Sequence, residues 1–366
     1  MCWSPTFNEW ILTRWSDCQA VLRDPRFSSN PQHSTLQFAG PQTMLGEVSK
    51  SILLFIDPPD HTRLRGLVSQ AFTPRRIEAV RPRVEVIVDE LLAGVPDEFD
   101  VMATLAQPLP VIVICELLGV PAEDWGKFGP WSSSASRLLD GDVEEPALSA
   151  GMAATMELIT YFVELFERRR AEPTNDLLSA LVAAEAQGDR LTIEELIATT
   201  ILLFVAGHET TTNLIGNGTL ALLRHPGQAD WLRGHPQEAR NAVEELLRFD
   251  PPVQITGRFA TEDIQLHGHD VAKGEGVAVM LAAANRDPAH YDNPDRLDLT
   301  RADPHHLAFS QGIHFCLGAA LARLEGEVAL PALLRRFPNL ALTTDDPPYR
   351  EHRVLRGLAE LRVAHG

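Results

Sequence analysis

The sequence predicts a mostly α-helical fold with small β-sheets. Helical periodicity covers most of the first two thirds of the chain, whereas strand-like runs are short and gather towards the two ends. An apolar content of 45% across 366 residues is enough for a sizeable core, and no internal repeat, low-complexity tract or linker divides the chain. We therefore expect residues 1–366 to form a single domain.

Helical patterns follow one another along the chain, and the longest has the clearest boundaries. Thr192 followed by Glu195 is a capping-box pattern at its start, and Pro226 is expected to end it. Between residues 196 and 206 apolar side chains surround the helix axis, which predicts a buried central helix. The predicted helices cover residues 16–23, 60–71, 74–93, 105–118, 122–138, 147–171, 175–187, 192–224, 236–249 and 317–336.

The predicted strands are short runs rich in β-branched and aromatic residues. They cover residues 9–15, 255–259 and 276–283, with a weak set near the C-terminus. Two stretches that contain proline and glycine, 30–46 and 129–146, are predicted to be loops. Loops of that length in a compact domain are often lids or binding loops.

The composition excludes several classes of protein. The net charge is −18, from 32 basic and 50 acidic residues, so no basic surplus exists to neutralise nucleic-acid phosphates. The cysteines Cys2, Cys18, Cys115 and Cys316 have neither zinc-finger spacing nor a disulfide pattern. The first residues do not resemble a signal peptide or an anchor, and the longest apolar stretch is too short to cross a bilayer. A cytoplasmic protein without a membrane anchor is expected.

The run from Phe309 to Gly318, which contains Cys316, is the most informative segment. The alanine- and leucine-rich residues that follow predict a helix, so the Cys316 sulfur is expected at a helix N-terminus. Free N–H groups and the helix dipole favour a thiolate there, and a thiolate binds metal. Gly312 and Gly318 allow the backbone to approach a flat ligand, and His314 can reach an anionic group at its edge.

This segment resembles the heme-binding loop of the cytochrome P-450 family, Phe-Gly-x-Gly-x-His/Arg-x-Cys-x-Gly, with Ser310 in place of the first glycine. The resemblance implies that Cys316 is the axial ligand of heme b (iron protoporphyrin IX) and that Phe309 belongs to the same loop. It also implies the family's fold, in which heme lies between a long central helix and the cysteine loop with its C-terminal helix. Relative to that family the N-terminus is short.

A second motif lies in the middle of the longest predicted helix. Gly207 and the run Thr210–Thr212 both disfavour helix, and such faults in a strong helix indicate a functional site. Ala206 and Thr210 are four residues apart and share a face. The segment resembles the family signature Ala/Gly-Gly-x-Asp/Glu-Thr, which implies that Glu209 and Thr210 deliver protons beside a gap left by Ala206 and Gly207. Alternatively, Thr210 bonds back to the carbonyl of Ala206 and bends the helix.

Basic residues elsewhere resemble the family's partners of the two heme propionates. His61 and Arg65 are four residues apart on one predicted helix face, and Arg258 follows the helix that contains Glu245 and Arg248. The resemblance assigns His61, Arg65, Arg258 and His314 to the propionates. It assigns Glu245 and Arg248 a structural role.

The resemblance implies a heme-thiolate monooxygenase of secondary metabolism that inserts one atom of O2 into a lipophilic small molecule by hydroxylation or epoxidation. Electrons would come from NAD(P)H through a ferredoxin or flavodoxin-type donor, docked on a basic patch. The alternatives are a peroxide-driven heme peroxygenase, a non-catalytic heme-binding protein and, more distantly, a cysteine hydrolase without heme. The expected patch comprises Arg63, Arg75, Arg76 and Arg323. The expected substrate-lining segments are 30–56, 132–155, 202–206, 253–255 and a loop near 353–357.

Overall fold

The computed structural model describes residues 1–34, 48, 50–70, 72–140, 143–186 and 191–366. Within them, the predicted mostly α-helical fold with small β-sheets is confirmed. The helices are α1 (Trp15–Arg23), α2 (Asp60–Ser69), α3 (Pro74–Glu78), α4 (Arg81–Leu91), α5 (Pro108–Leu118), α6 (Trp125–Ser136), α7 (Ala147–Ala171), α8 (Leu177–Ala186), α9 (Ile193–Arg224), α10 (Pro226–Gly234), α11 (Ala239–Phe249), α12 (Leu281–Ala284) and α13 (Ala319–Arg336). The strands are β1 (Cys2–Ser4), β2 (Glu9–Leu12), β3 (Phe27–Ser28), β4 (Glu98–Asp100), β5 (Thr256–Ala260), β6 (Ile264–Leu266), β7 (His269–Val271), β8 (Gly276–Val279), β9 (Ala341–Leu342) and β10 (Arg362–Ala364).

Helix α9 is the buried central helix that the sequence predicts. Its capping box is formed, because the Glu195 N–H donates to Thr192 Oγ1 at 3.2 Å and the Thr192 N–H donates to Glu195 Oε2 at 2.9 Å. Polar as well as apolar side chains of its second half are buried, among them Asn213 and Asn217. The helix ends at Arg224, before Pro226, as expected.

The strands form one larger and two smaller sheets within the described residues. The five-stranded sheet has the order β1-β2-β8-β5-β3, and β2 pairs with β8 in parallel while the other neighbours are antiparallel. Strand β10 lies between β4 and β9, and β6 pairs with β7. The pairing of Arg258 with Val277 places that arginine in the interior of the larger sheet, on β5.

The buried apolar residues form clusters that fix α9 and α13 from several sides. One cluster packs the first half of α9 against α5, α6, α7 and α8. A second joins α4, α5 and α13, and a third joins α10, α11 and α13. A fourth lies between the larger sheet and α1. The segment before α13, which contains Cys316, is therefore attached to a rigid framework.

Glu245 and Arg248 on α11 are fully buried and make the structural contacts expected of them. Arg248 donates to both carboxylate oxygens of Glu245, at 2.7 and 2.8 Å, and to the carbonyls of Asn285, Pro294 and Arg296. Glu245 also accepts from Arg301 Nε at 3.1 Å. This pair fastens the segment between α12 and α13 to α11, since each buried charge finds several partners.

Several predicted boundaries are wrong. The predicted loop 129–146 is helical as far as residue 136, with Pro130 inside α6, and a 3-10 turn continues over Arg137–Asp140. The predicted helix 74–93 is divided into α3 and α4, and α10 is a helix that the sequence analysis missed. The predicted strand 276–283 ends at Val279, and the predicted strand 9–15 ends at Leu12. Most of the predicted loop 30–46 lies outside the described residues.

None of the helices in the described residues combines the length and the apolar composition needed to span a bilayer.

Candidate functional site

The loop before α13 places Cys316 at the start of that helix, as the sequence predicts. The Cys316 N–H donates to the carbonyl of Phe309 at 2.9 Å, which closes the loop. Gly318 is the N-cap residue, and α13 begins at Ala319. The Cys316 sulfur is therefore close to the unpaired N–H groups of the first helical turn.

Two residues of this loop adopt left-handed backbone conformations. Gly312 has φ +69°, and a Cβ at this position would lie 2.4 Å from the carbonyl oxygen of Leu22, so only glycine fits. Ser310 has φ +58° at the position where the family motif has glycine. Its hydroxyl oxygen is buried without a hydrogen-bond partner among the described residues. The serine therefore adopts a backbone conformation that glycine adopts more readily.

Two opposing effects act on the Cys316 thiol: the start of α13 favours the thiolate, as expected, and burial disfavours it. Desolvation raises the pKa of the thiol above its usual range and outweighs the opposing hydrogen bond from the backbone of Gly318 and the charges of Arg65 and Arg323. A metal ion bound to this sulfur would supply a positive charge that favours the deprotonated form.

The predicted propionate partners converge beside the cysteine loop. His61 and Arg65 lie on α2, and Arg65 Nη2 donates to the carbonyl of Phe315 at 2.6 Å. The rings of His61 and His314 have centroids 4.4 Å apart. His314 Nε2 lies 2.7 Å from Ser29 Oγ. Residues distant in sequence thus meet on one side of the loop.

Arg258 brings a buried guanidinium to the same region. It is 3% exposed, and its Nη1 donates to the carbonyl of Gly257 at 2.7 Å and to Thr256 Oγ1 at 3.3 Å. Within the described residues, no carboxylate makes an ion pair with it; Asp57 acts on it only as a nearby charge. A buried cation without a bound anion is costly for a folded protein.

Burial opposes positive charge on all four basic residues. Desolvation lowers the pKa of Arg258 to about 10, despite Asp57. Desolvation, followed by the charges of Arg258, His61 and Arg65, lowers the pKa of His314 to about 3. Burial also lowers the pKa of His61 and the pKa of Arg65. The buried Nε2 of His61 has no hydrogen-bond partner among the described residues. A ligand with carboxylate groups satisfies these donors, so the residues present fit the two propionates of heme.

The face of α9 that carries Ala206 and Thr210 is open, although the helix is otherwise buried. Ala206 is exposed, and Thr210 is partly exposed. Thr210 Oγ1 donates to the carbonyl of Ala206 at 2.7 Å, which is the alternative contact considered from the sequence. Gly207 faces elsewhere, since a Cβ there would lie 3.6 Å from Ile114 Cδ1 on α5. The expected gap therefore lies beside Ala206.

Glu209 points away from this open face into a buried ion pair that the sequence did not reveal. Its Oε2 accepts from Arg350 Nη1 at 2.7 Å, and its side chain is 2% exposed. Its Oε1 is 3.9 Å from His208 Nδ1 and has no hydrogen-bond partner among the described residues. His208 Nδ1 in turn lies 3.0 Å from Ser132 Oγ on α6. Arg350 and Ser132 are 141 and 76 residues away from their partners, so no local motif could indicate them.

The C-terminal segment also contacts the region after α6. Asp140 accepts from the backbone N–H groups of Arg353 and Val354 at 3.0 and 2.9 Å. Parts of two predicted substrate-lining segments, 132–155 and 353–357, are therefore adjacent. Of a third, 30–56, residues 35–47 and 49 lie outside the described part of the chain.

The chain is similar to known proteins over most of its length. Residues 146–235 and 237–362 match the family model for cytochrome P-450. The vitamin D(3) 25-hydroxylase of Pseudonocardia autotrophica is 46% identical over 98% of this chain and 88% of its own length. The 6-deoxyerythronolide B hydroxylase of Saccharopolyspora erythraea is 44% identical, over 97% and 90%.

A solved structure shows the same fold. The crystal structure of ligand-free CYP164A2 from Mycobacterium smegmatis is similar with a TM-score of 0.91 at 45% identity, covering 99% of this chain and 92% of that one. The chain therefore belongs to the cytochrome P-450 family, whose members use heme b, and it is a P-450 monooxygenase.

Proposed function

We propose that this protein inserts one oxygen atom from O2 into a lipophilic small molecule, with electrons passed from NAD(P)H by a separate ferredoxin or flavodoxin-type protein, and that residues 1–366 act as one domain. The observation that carries this proposal is the group of four basic side chains beside the Cys316 loop, which has no bound carboxylate among the described residues. Relatives named as hydroxylases of vitamin D(3) and of 6-deoxyerythronolide B support hydroxylation of a lipophilic compound.

The chain's own residues would hold the cofactor from two directions. Cys316 would bind the heme iron through its sulfur, and His61, Arg65, Arg258 and His314 would bind the propionates. When bound, the heme would supply the redox chemistry that activates O2. Phe309, Gly312 and Gly318 would shape the loop, and the small side chain of Ala206 would leave space beside Thr210 on the open face of α9, whereas Gly207 faces α5.

Thr210 and Glu209 would deliver protons to the site where O2 reacts. The Thr210 hydroxyl donates to the Ala206 carbonyl, which leaves its lone pairs available to accept a hydrogen bond on the open face. Neighbouring residues on a helix are rotated by about 100°. Because Glu209 faces Arg350 instead, its proton would reach Thr210 through water or after rotation of the carboxylate.

The electron donor would dock on the face that carries the cysteine loop. Of the four arginines expected there, Arg63 is paired with Glu195 and Arg323 with Glu244. Arg75 and Arg76 are exposed on the short helix α3. An acidic donor would therefore contact Arg75 and Arg76 first, although the whole chain is acidic.

Changing Arg75 and Arg76 to glutamate tests this docking surface. The reduction rate by a surrogate ferredoxin should fall and lose its salt dependence. The matched control changes Arg335 and Arg336, which are exposed at the other end of α13, to glutamate. Equal rates for the two variants would refute the docking surface.

The reaction itself is tested by reconstitution with a surrogate ferredoxin, its reductase and NADPH. A panel of macrolactones and secosteroids is supplied under labelled O2, and products are analysed by mass spectrometry. The proposal predicts products that carry one labelled oxygen atom. Oxygenated products with hydrogen peroxide alone, and none with the donor system, would favour the peroxygenase. Binding of ligands without turnover under either condition would indicate a heme-binding protein.

A further inference from the structure

A cavity of about 270 Å³ lies where the end of α6, the start of α7 and the C-terminal segment meet. Its polar wall consists mostly of hydrogen-bond donors. Ser133, Ser134 and Arg137 come from α6 and the turn that follows it, and Arg350 and His352 come from the C-terminal segment. No aspartate or glutamate is among the described residues that line the cavity. The wall is therefore better suited to an anion than to a cation.

Arg137 is a half-buried arginine without an acidic partner among the described residues. Its Nε is buried and makes no hydrogen bond within that part of the chain. The whole chain has 50 acidic and 32 basic residues, so a shortage of carboxylates does not explain this. A buried N–H group without an acceptor costs free energy. Arg137 therefore lacks an acceptor that a ligand would supply.

Arg350 contributes a second unused donor. Its Nη1 donates to Glu209 Oε2 at 2.7 Å and its Nε donates to the carbonyl of Leu358 at 3.1 Å, so the guanidinium is held in one orientation. Its Nη2 is buried and has no hydrogen-bond partner in the described part of the chain. Because both arginines line one cavity, an anionic group bound there would accept hydrogen bonds that the protein leaves unmade.

The two carboxylates near the cavity have other partners. Asp140 Oδ1 accepts from two backbone N–H groups of the C-terminal segment, and its Oδ2 lies 3.2 Å from His352 Nδ1. Glu209 is paired with Arg350, and neither carboxylate lines the cavity. Burial lowers the pKa of His352, so the two acids balance Arg137 and Arg350 in formal charge near neutral pH. An anion in the cavity would nevertheless contact the arginines directly, and charge interactions weaken with distance.

The apolar part of the wall favours an organic acid over a small inorganic anion. Ala147 and Ala150, at the start of α7, add methyl groups to the lining. A water molecule takes up about 30 Å³ in the liquid, so the cavity is larger than a single small ion requires. The apolar carbons next to a carboxylate would cover these methyl groups, whereas a phosphate ion would leave them in contact with water. The combination fits the carboxylate end of a lipophilic molecule.

The cavity adjoins the turn of α9 that carries Thr210. Arg350, which lines the cavity, is bonded to Glu209, the residue before Thr210. On the other side, His208 Nδ1 lies 3.0 Å from Ser132 Oγ, and Ser132 precedes the lining residues of α6. A molecule held by its carboxylate in this cavity would therefore have its apolar part close to α9.

We propose that this cavity binds the carboxylate of the substrate, that the substrate is a lipophilic carboxylic acid, and that Arg137 determines this specificity. The inference rests on the proposed function, whose substrate class it names. The carboxylate would anchor the molecule and would not react. Oxygen would be inserted into the apolar part, beside the open face of α9 that carries Ala206 and Thr210.

The test compares the binding of dodecanoic acid and of methyl dodecanoate to the ferric holoprotein by calorimetry. The wild type should bind the acid at least about tenfold more tightly, because a hydrogen bond to a charged group is stronger than one to a neutral ester. Arg137→Met should weaken binding of the acid by at least about tenfold and change binding of the ester less than about twofold. Arg137→Lys, which keeps the charge but loses the planar fork, should lie between.

Arg335→Met is the matched control, because Arg335 is exposed at the end of α13 and does not line the cavity. It should bind both compounds like the wild type. Equal affinity of the wild type for acid and ester would overturn the inference without any variant, and so would an Arg137→Met protein that keeps the preference for the acid. Inorganic phosphate at the same concentration as the acid should not displace it; displacement would reveal a general anion site and would also overturn the inference.

Turnover with a surrogate ferredoxin, its reductase and NADPH separates this inference from the proposed function. If neutral macrolactones or secosteroids are oxygenated equally by the wild type and by Arg137→Met, and the acid has no advantage, the acid site is refuted and monooxygenation stands. If the acid binds preferentially but neither it nor any other compound is oxygenated, the proposed function fails, and the claim that the acid is a substrate fails with it.

Discussion

Replacing Arg258 by methionine should have opposite effects on the heme-free and the heme-bound protein. In the protein alone, burial lowers the pKa of Arg258 to about 10, and the difference from its ordinary value corresponds to a cost of about 3 kcal/mol for the charged form near neutral pH. Methionine removes this cost but loses the hydrogen bonds to Gly257 and Thr256, each worth about 1 kcal/mol. The heme-free protein should therefore become more stable, by about 1 kcal/mol.

With heme bound, the same arginine would have a propionate as its partner. A hydrogen bond to a charged group contributes about 1.5–3 kcal/mol, so Arg258→Met should accelerate heme loss by roughly 10- to 100-fold. Arg258→Lys is the matched control, because it keeps the positive charge but loses the planar fork. It should lie between the wild type and the methionine variant in heme loss.

The assay combines urea unfolding of the heme-free protein with heme transfer from the holoprotein to an excess of an apoprotein acceptor. The two measurements should move in opposite directions for Arg258→Met. If Arg258→Met destabilises the heme-free protein by more than about 2 kcal/mol, or if heme is lost at the wild-type rate, the idea that the Arg258 guanidinium needs a bound anion as its partner is refuted.

Three further substitutions test other parts of the structure. Ser310→Gly should stabilise the holoprotein by about 1 kcal/mol in thermal unfolding, because it removes both a left-handed side chain and an unsatisfied hydroxyl; Ser310→Ala, which keeps the Cβ, should gain less. Burial would raise the pKa of Glu244, but hydrogen bonds from His306 and Arg323 outweigh it and lower the pKa from 4.5 to about 2. The stability that Glu244 contributes is thus present above pH 4.5 and lost as the pH falls towards 2. Glu244→Gln should therefore lower the free energy of unfolding by about 2 kcal/mol at pH 7 and make that free energy, measured in urea, depend less on pH below 4.5. An unchanged pH dependence in the acid range would contradict this. Thr210→Val, which keeps the shape and removes the hydroxyl, should lower product formed per NADPH consumed by at least about tenfold, and wild-type coupling would exclude a proton role.

Sequence patterns were sufficient where a local rule determines the structure. The capping box at Thr192 and Glu195, the stop before Pro226 and the cysteine loop before α13 all depend on residues a few positions apart. The basic residues beside that loop were also identified, because the resemblance to a family supplied the long-range relation that spacing alone cannot.

Local rules failed where packing overrides them. Pro130 predicts a loop, but α6 continues through it. Phe128, two residues earlier, packs against Tyr161 and Phe204 with ring centroids 5.0 and 4.7 Å away. Burial of these aromatic side chains outweighs the lost backbone hydrogen bond, whose cost in a helix interior is about 3 kcal/mol. A local pattern does not contain that contribution.

The polar contacts that the C-terminal segment makes with α9 and with the end of α6 were not predictable for a different reason. Glu209 and Arg350 are 141 residues apart, and Asp140 meets Arg353 and Val354 more than 200 residues later in the chain. No periodicity relates such positions, since only the folded arrangement of α6, α9 and the C-terminal segment brings them together.

The proposed function depends on Cys316 as the thiolate ligand of the heme iron. The most direct measurement is the absorption spectrum of the reduced holoprotein under carbon monoxide, recorded for the wild type and for Cys316→His at equal heme content. Thiolate ligation by Cys316 predicts a strongly red-shifted Soret band in the wild type and no such band in the histidine variant. A folded, heme-loaded wild type without that band, or a histidine variant that retains it, would show that Cys316 is not the ligand.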